Sequence, residues 1–396
     1  MKKIALINQR YGLEVNGGSE TYTRQIAEKL RDNFEVEILT TKALSYDQWE
    51  NYYEQDEEII NGIKVFRFDV ERKRDNFGQN LAGRLLMNGF SNSKILGKLW
   101  MKCQGPYAPG LIQFIRNHHT DYDLFIFVTY LYYTTVAGMK EVYDKSILIP
   151  TAHDEYCVYF PCYRDIFQNP KGIVYLTDEE REFVQKTFSN QKTPGIVAGV
   201  GVDVPSDTDE KRFRDKYKIS GDYLVYAGRV DQNKNCHEMF DMFERLQKEA
   251  EWKEKDITLI IVGKKYMDIP SCDKIRYLGF VSEQDKFDAI SGALALWLPS
   301  QNESLSISVL EAMALGVPVI VNGKCEVLKG HCIKSKGGCY YTSYEMFKEK
   351  LKEITGNNRT QLSENAIAYI REHYSWDKIK HDLTVFFEKI IDEIQG

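Results

Sequence analysis

Short apolar runs of strand length alternate with helical segments along nearly the whole chain, and this alternation limits the fold more than any other feature. Residues 3–8 read as a strand, followed by a loop with Gly12, Gly17 and Gly18. A helix over 20–31 then keeps Ile26, Ala27 and Leu30 on one face, and a second strand spans 35–41. Apolar runs at 63–68, 124–129, 146–150 and 172–176 continue the pattern with helical segments between them. Such alternation predicts a mostly parallel sheet covered on both faces. It breaks once, near residues 193–208, where Pro194, Gly195, Gly199, Gly201 and Pro205 crowd together, and then restarts. Strands are predicted at 223–227, 258–262, 294–298 and 318–321, helices at 235–249 and 304–315, and three closing helices at 344–354, 361–373 and 376–394.

A chain of 396 residues exceeds one ordinary core. The expected architecture is therefore α/β, with two doubly wound parallel-sheet domains over 1–195 and 209–373. A linker at 196–208 joins them, and a terminal segment at 374–396 follows. Two similar α/β halves predict a cleft, with ligands at the carboxyl ends of the strands. Charge narrows the partners: 52 Lys and Arg against 58 Asp and Glu give −6, which argues against a nucleic-acid surface. The apolar run at residues 4–7 is too short for a secretory core, and no stretch nears the ~20 apolar residues of a membrane span. With eight scattered Cys, the expectation is a cytoplasmic chain with reduced thiols.

Four motifs can carry chemistry. Residues 303–311, Glu-Ser-Leu-Ser-Ile-Ser-Val-Leu-Glu, follow a strand and a short loop. Ser304 or Ser306 can cap the predicted helix, whose free N–H groups and positive dipole end suit a phosphate. If both acids were helical, Glu303 and Glu311 would lie roughly 12 Å apart along the axis. That spacing suits a ligand with hydroxyls at both ends and phosphates between; it also suits a first-turn acid and a solvated helix residue. Next, Arg229 and Lys234 follow the strand ending at Gly228, and two cations there can neutralise a diphosphate. An ordinary loop with an Arg229–Asp231 pair fits as well. The third motif, residues 16–20 (Asn-Gly-Gly-Ser-Glu), is not the dinucleotide fingerprint, though its glycines let backbone approach a ligand. The fourth is His153 after the strand ending near Pro150, placed to hydrogen-bond a sugar or serve the core.

Taken together and in this order, the motifs resemble the retaining glycosyltransferases of family 4, which have the GT-B fold of two facing Rossmann-like domains. The likeness extends over nearly the whole chain. It includes Gly-Val-Gly-Val-Asp at 199–203 and the Tyr-Ser-Trp at 374–376 before a terminal helix that crosses back to the first domain. It implies that Arg229 and Lys234 hold the donor diphosphate, Glu311 the ribose hydroxyls and Glu303 the donor sugar. Backbone at Ser304, Leu305 and Ser306 would touch phosphate, Gly17 and Gly18 would line the donor–acceptor junction, His153 would face the sugar, and backbone at Phe280 and Val281 would meet the base. It also implies retention of anomeric configuration, with the departing phosphate oxygen taking the acceptor proton and no cofactor or metal.

The function expected is transfer of a sugar from a nucleoside-diphosphate sugar to a glycan or lipid-linked acceptor in polysaccharide biosynthesis. An epimerase or hydrolase of the same fold, or a non-catalytic binding subunit, are the alternatives. Asp121-Tyr-Asp123 has the spacing of metal-dependent transferases but reads as a polar turn beside His118 and His119. Cys325, Cys332 and Cys339 with His331 are spaced too widely for a zinc site. Residues 81–102 mix Leu, Ile, Met and Trp with Arg84, Lys94, Lys98 and Lys102. The mixture suits domain core with solvated lysines, or peripheral contact with the inner face of an anionic membrane.

Overall fold

The computed structural model describes residues 1–15 and 17–396; Asn16, the first residue of the glycine motif, lies outside the described residues. The chain forms two compact units. One comprises Met1–Val200 with Ile379–Gly396, the other Gly201–Lys378.

The first unit is built on an eight-stranded sheet: β1 (Lys3–Ile7), β2 (Glu35–Thr41), β3 (Glu57–Ile60), β4 (Ile63–Phe68), β5 (Leu124–Val128), β6 (Ser146–Ile149), β7 (Gly172–Tyr175) and β8 (Gly195–Val197). The strand order is β3-β4-β2-β1-β5-β6-β7-β8. Only β3 pairs antiparallel, through a two-residue turn at Asn61 (φ 50°) and Gly62 (φ 81°), the residue pair such hairpins favour. The central strands β1, β5, β6 and β7 are apolar and buried because helices cover both faces. Part of the Pro- and Gly-rich stretch expected as linker is strand β8, paired in parallel with β7.

The second unit carries a six-stranded, wholly parallel sheet: β9 (Tyr223–Ala227), β10 (Thr258–Val262), β11 (Ile275–Gly279), β12 (Ala295–Leu298), β13 (Val319–Asn322) and β14 (Gly338–Tyr341). Its order is β11-β10-β9-β12-β13-β14. The chain steps outward from β9 in one direction and then returns to β12 on its other side. The carboxyl ends of β9 and β12 therefore flank the topological switch point, where open α/β sheets hold ligands. In the first sheet β1 and β5 are the corresponding pair.

The last helix, Trp376–Gln395, begins in the second unit, where the would-be Cβ of Gly201 meets the Trp376 ring. From Ile379 onward it belongs to the first unit. Ile379, Leu383, Phe386, Phe387 and Ile390 recur at helical spacing and are buried. Phe387 lies 6.2 Å from Phe34, and Lys380 pairs with Asp32 at 2.7 Å. A side chain at Gly172 would strike Phe386 at 2.8 Å, so the strand β7 carries a glycine where the helix crosses it.

Candidate active site

In the second unit, β9 ends at Ala227 and its chain continues as Gly228 and Arg229. The Gly228 N–H donates to the Val262 carbonyl at 2.9 Å, and Gly263 after β10 sits at φ 137°. A Cβ on Gly263 would lie 1.9 Å from the Gly228 carbonyl oxygen, so the two loops touch backbone to backbone. Arg229 is partly exposed, with Nε 3.6 Å from an Asp231 oxygen. The other Asp231 oxygen accepts from the Lys234 N–H at 2.8 Å. Asp231 thus folds the turn that carries both cations, and the helix Cys236–Lys248 begins directly after it.

The loop after β12 meets this turn. Pro299 offers its carbonyl to Asn235 Nδ2 at 3.2 Å and Asn322 Nδ2 at 3.1 Å, so two amides fasten the loop from either side. Glu303 then reaches Lys234, with Nζ to Oε1 at 2.5 Å. The pair is largely enclosed, at 23 % and 12 % side-chain exposure. Residues 69 apart in the chain are joined because β9 and β12 are neighbours in the sheet.

The helix after Glu303 starts later than its serines suggested: it spans Ile307–Ala314. Ser306 occupies the cap position in left-handed conformation (φ 70°, ψ 84°), and no side chain caps the helix. The Val309 N–H reaches back to the Ser306 carbonyl at 3.2 Å, while those of Ile307 and Ser308 have no acceptor within the helix, so the mouth remains available to an anion. Glu303 therefore precedes the helix, and the 12 Å helical spacing from Glu311 does not apply. The approach is braced from behind by His331, whose Nε2 lies 2.9 Å from the Leu305 carbonyl and whose Nδ1 lies 3.1 Å from the Tyr369 hydroxyl. Burial lowers this imidazole to about 4, so it is neutral, donating to the carbonyl and accepting from the tyrosine.

Glu311 is buried on that helix and pairs with Lys286 at 2.7 Å. Burial raises its carboxyl above the usual range, while Lys286 pulls the other way. Lys286 lies on the helix Glu283–Ser291, just after the half-buried Val281 and the exposed Phe280. No local pattern marks Lys286 as the partner of Glu311, since their 25-residue separation closes only in three dimensions. Asn235 and Asn322 were likewise missed, although Asn322 closes β13 and Asn235 stands at the cap of the helix Cys236–Lys248, both visible positions.

Gly17, Gly18 and His153 belong to the first unit. Gly17 caps the helix Gly18–Leu30 in extended conformation. A side chain there would strike Glu20 Oε2 at 2.2 Å, whereas nothing lies within 4 Å of Gly18's Cβ position. Glu20 is buried against Arg10 and takes a 2.9 Å hydrogen bond from Gln9, so the glycine protects a buried charge pair. The loop after β6 carries His153, whose Nε2 stands 3.7 Å from Glu155. That loop is tied down by Glu180, which accepts at 2.5 Å from the N–H groups of Ala152 and Leu176. Asp123 accepts from the Lys3 N–H at 2.7 Å, and Asp121 pairs with His118, so this D-x-D is spent at the amino ends of the strands. Among the described residues, no three His, Cys, Asp or Glu side chains converge on one point, and all eight cysteines are unpaired.

Residues 207–373, the bulk of the second unit, match the family described as Glycosyl transferases group 1. An uncharacterized glycosyltransferase of Methanocaldococcus jannaschii is 24% identical over 432 residues, covering 99% of this chain and 100% of that protein. This chain is a glycosyltransferase. A D-inositol 3-phosphate glycosyltransferase of Jonesia denitrificans is 24% identical over 57% of this chain and 58% of its own length. Sucrose-phosphate synthase from Thermosynechococcus elongatus has the same fold, with a TM-score of 0.73 at 14% identity, 99% of this chain and 100% of that one being covered. HepE of Anabaena, solved with UDP and glucose, gives 0.71 at 15%, with 98% and 100% covered. Two Rossmann-like units of this kind make the GT-B fold, and the matched family segment holds Arg229, Lys234, Glu303 and Glu311 together.

Proposed function

We propose that this glycosyltransferase moves a sugar, with retention and without a metal ion, from a nucleoside-diphosphate sugar to a glycan or lipid-linked acceptor. The single observation that carries the proposal is the Lys234–Glu303 contact beside the uncapped mouth of the helix Ile307–Ala314. A cation, a carboxylate and unpaired N–H groups at a switch point suit a diphosphate bearing hydroxylated groups.

In this mechanism Arg229, Lys234 and the helix mouth take up the charge that develops on the departing diphosphate. Glu303 positions Lys234 through their 2.5 Å contact and accepts hydrogen bonds from hydroxyls of the donor sugar. Glu311, paired with Lys286, receives the ribose hydroxyls, and backbone near Val281 meets the base. His153, Gly17 and Gly18 serve the sugar and acceptor. The acceptor hydroxyl attacks on the face the diphosphate leaves, and a phosphate oxygen takes its proton, so no strong protein base is needed. HepE was solved with UDP and with UDP-glucose, which makes uridine donors the first to try.

Thermal-shift screening of nucleotide sugars identifies the donor, and NMR of the product then reads the anomeric configuration with and without EDTA. Retention, unaffected by EDTA, is expected. An inverted anomer, or activity that depends on added divalent metal, overturns the mechanism. Donor turnover to an epimer or free sugar as the sole product favours the epimerase or hydrolase alternative.

A further inference from the structure

Between Asp75 and Asp121 the chain has no Asp or Glu, yet it carries Arg84, Lys94, Lys98, Lys102 and Arg116, in a protein of net charge −6. Most of this stretch folds as two helices of the first unit, Asn76–Met87 and Lys94–Gln104. Their inner faces pack against each other and the core, with Ala82, Leu86, Trp100 and Met101 buried and Gly83 close against the Trp100 ring. The outer faces should then be polar. They are not. Phe77, Leu81 and Leu85 recur every four residues on the exposed side of the first helix, at 80%, 51% and 36% exposure. Phe90 in the connecting turn and Ile95 and Leu99 on the second helix extend the patch.

Beside Ile95 and Leu99, one turn apart, runs a basic stripe of Lys94, Lys98 and Lys102. These three also line a cavity of about 840 Å³, together with Lys140 and Arg164. Arg116, at the same cavity, is neutralised by Glu141 through two 2.9 Å hydrogen bonds. Among the described residues no carboxylate pairs with the other five cations. A symmetric second copy on this face would bring two positively charged patches together, which like-charge repulsion disfavours.

We propose that this helical hairpin docks on an anionic lipid bilayer. Its outer apolar side chains enter the headgroup boundary, and the basic stripe and cavity take lipid phosphates. A bilayer is the occupant that meets an apolar ridge and a positive field on one face without a shape-matched groove. The inference rests on the first unit alone and is independent of how the donor is held.

The test is co-sedimentation of the full chain with phosphatidylcholine vesicles, with and without phosphatidylglycerol, at low and high salt. The parent should bind the anionic vesicles and weaken in salt. Changing Lys94, Lys98 and Lys102 to Gln should weaken that binding on the order of a hundredfold, since each basic residue near the surface counts for about fivefold. Changing Phe77, Leu81 and Leu85 to Asn should cost a similar factor that salt does not reproduce. Should that variant misfold by thermal unfolding, Ile95→Asn with Leu99→Asn replaces it. Absence of binding to anionic vesicles, equal binding to neutral ones, or unaltered binding by both variants overturns the proposal; a preference for an acidic protein in place of vesicles does the same.

Discussion

Replacing Lys234 by Met separates two roles that one side chain plays. Its Nζ stands 2.5 Å from Glu303, and the two side chains retain 23 % and 12 % exposure. Stranding one partner of a sealed ion pair costs about 3–5 kcal/mol, and the residual water contact brings the expected loss here to about 2 kcal/mol. The double variant Lys234→Met with Glu303→Gln removes the stranded charge and should recover most of that stability. Ligand binding should behave otherwise. A charge-assisted hydrogen bond to a diphosphate is worth about 1.5–3 kcal/mol, so Lys234→Met should weaken nucleoside diphosphate binding about ten- to a hundredfold. The double variant should not regain it, and kcat should fall by about 10²–10³ in both. Thermal unfolding reads the first quantity, and calorimetric titration with the nucleoside diphosphate from the screen reads the second. Affinity that stays within about twofold of the parent refutes the placement of Lys234 on the diphosphate. Recovery of affinity along with stability would show that the lysine merely props the loop.

Other substitutions follow from close approaches and buried groups. Gly263→Ala would set a methyl 1.9 Å from the Gly228 carbonyl at a φ of 137°, so the ends of β9 and β10 must part; a loss of about 3 kcal/mol in thermal unfolding is expected. Gly17→Ala drives a methyl into Glu20 and displaces it from Arg10, costing about 1–3 kcal/mol, whereas Gly18→Ala, which meets nothing, should be near neutral. His331 is lowered from 6.5 to about 4, so the folded chain binds fewer protons than the unfolded chain between those values. Stability from this group is complete above pH 6.5 and declines as pH falls through that window, by about 3 kcal/mol in all. NMR of the imidazole should show no titration down to about pH 5; a ring titrating near 6.5 contradicts the buried neutral brace.

Much of the fold was legible because buried parallel strands are continuous apolar runs. The bounds of β9 and β10 coincide with such runs, and those of β2 and β4 were also as predicted although Glu37, Lys64 and Arg67 interrupt their apolar residues. Strands β3, β11 and β14 escaped notice. The first two carry charge or polar residues along their length, and all three lie at or beside a sheet edge, where one side needs no apolar cover. The helix Glu326–Ser335 was missed for a related reason, since its buried residues Val327, Leu328, His331 and Cys332 mix polar and apolar types. Ser304 and Ser306 read as helix caps by composition, yet Ser306 adopts left-handed backbone and the helix waits until Ile307.

The amino-acid order by itself therefore determined the element types, the twofold repetition of the α/β pattern, and which cations and carboxylates stand at strand ends. It could do so because periodicity, turn chemistry and strand-end position are local properties of the chain. Only the tertiary structure decided which of those charges meet. Lys234 touches Glu303 because β12 lies beside β9 in the sheet, and Glu311 takes Lys286 because two helices pack side by side. Strand order and helix packing are settled by the burial of the whole core, and no window of sequence contains them.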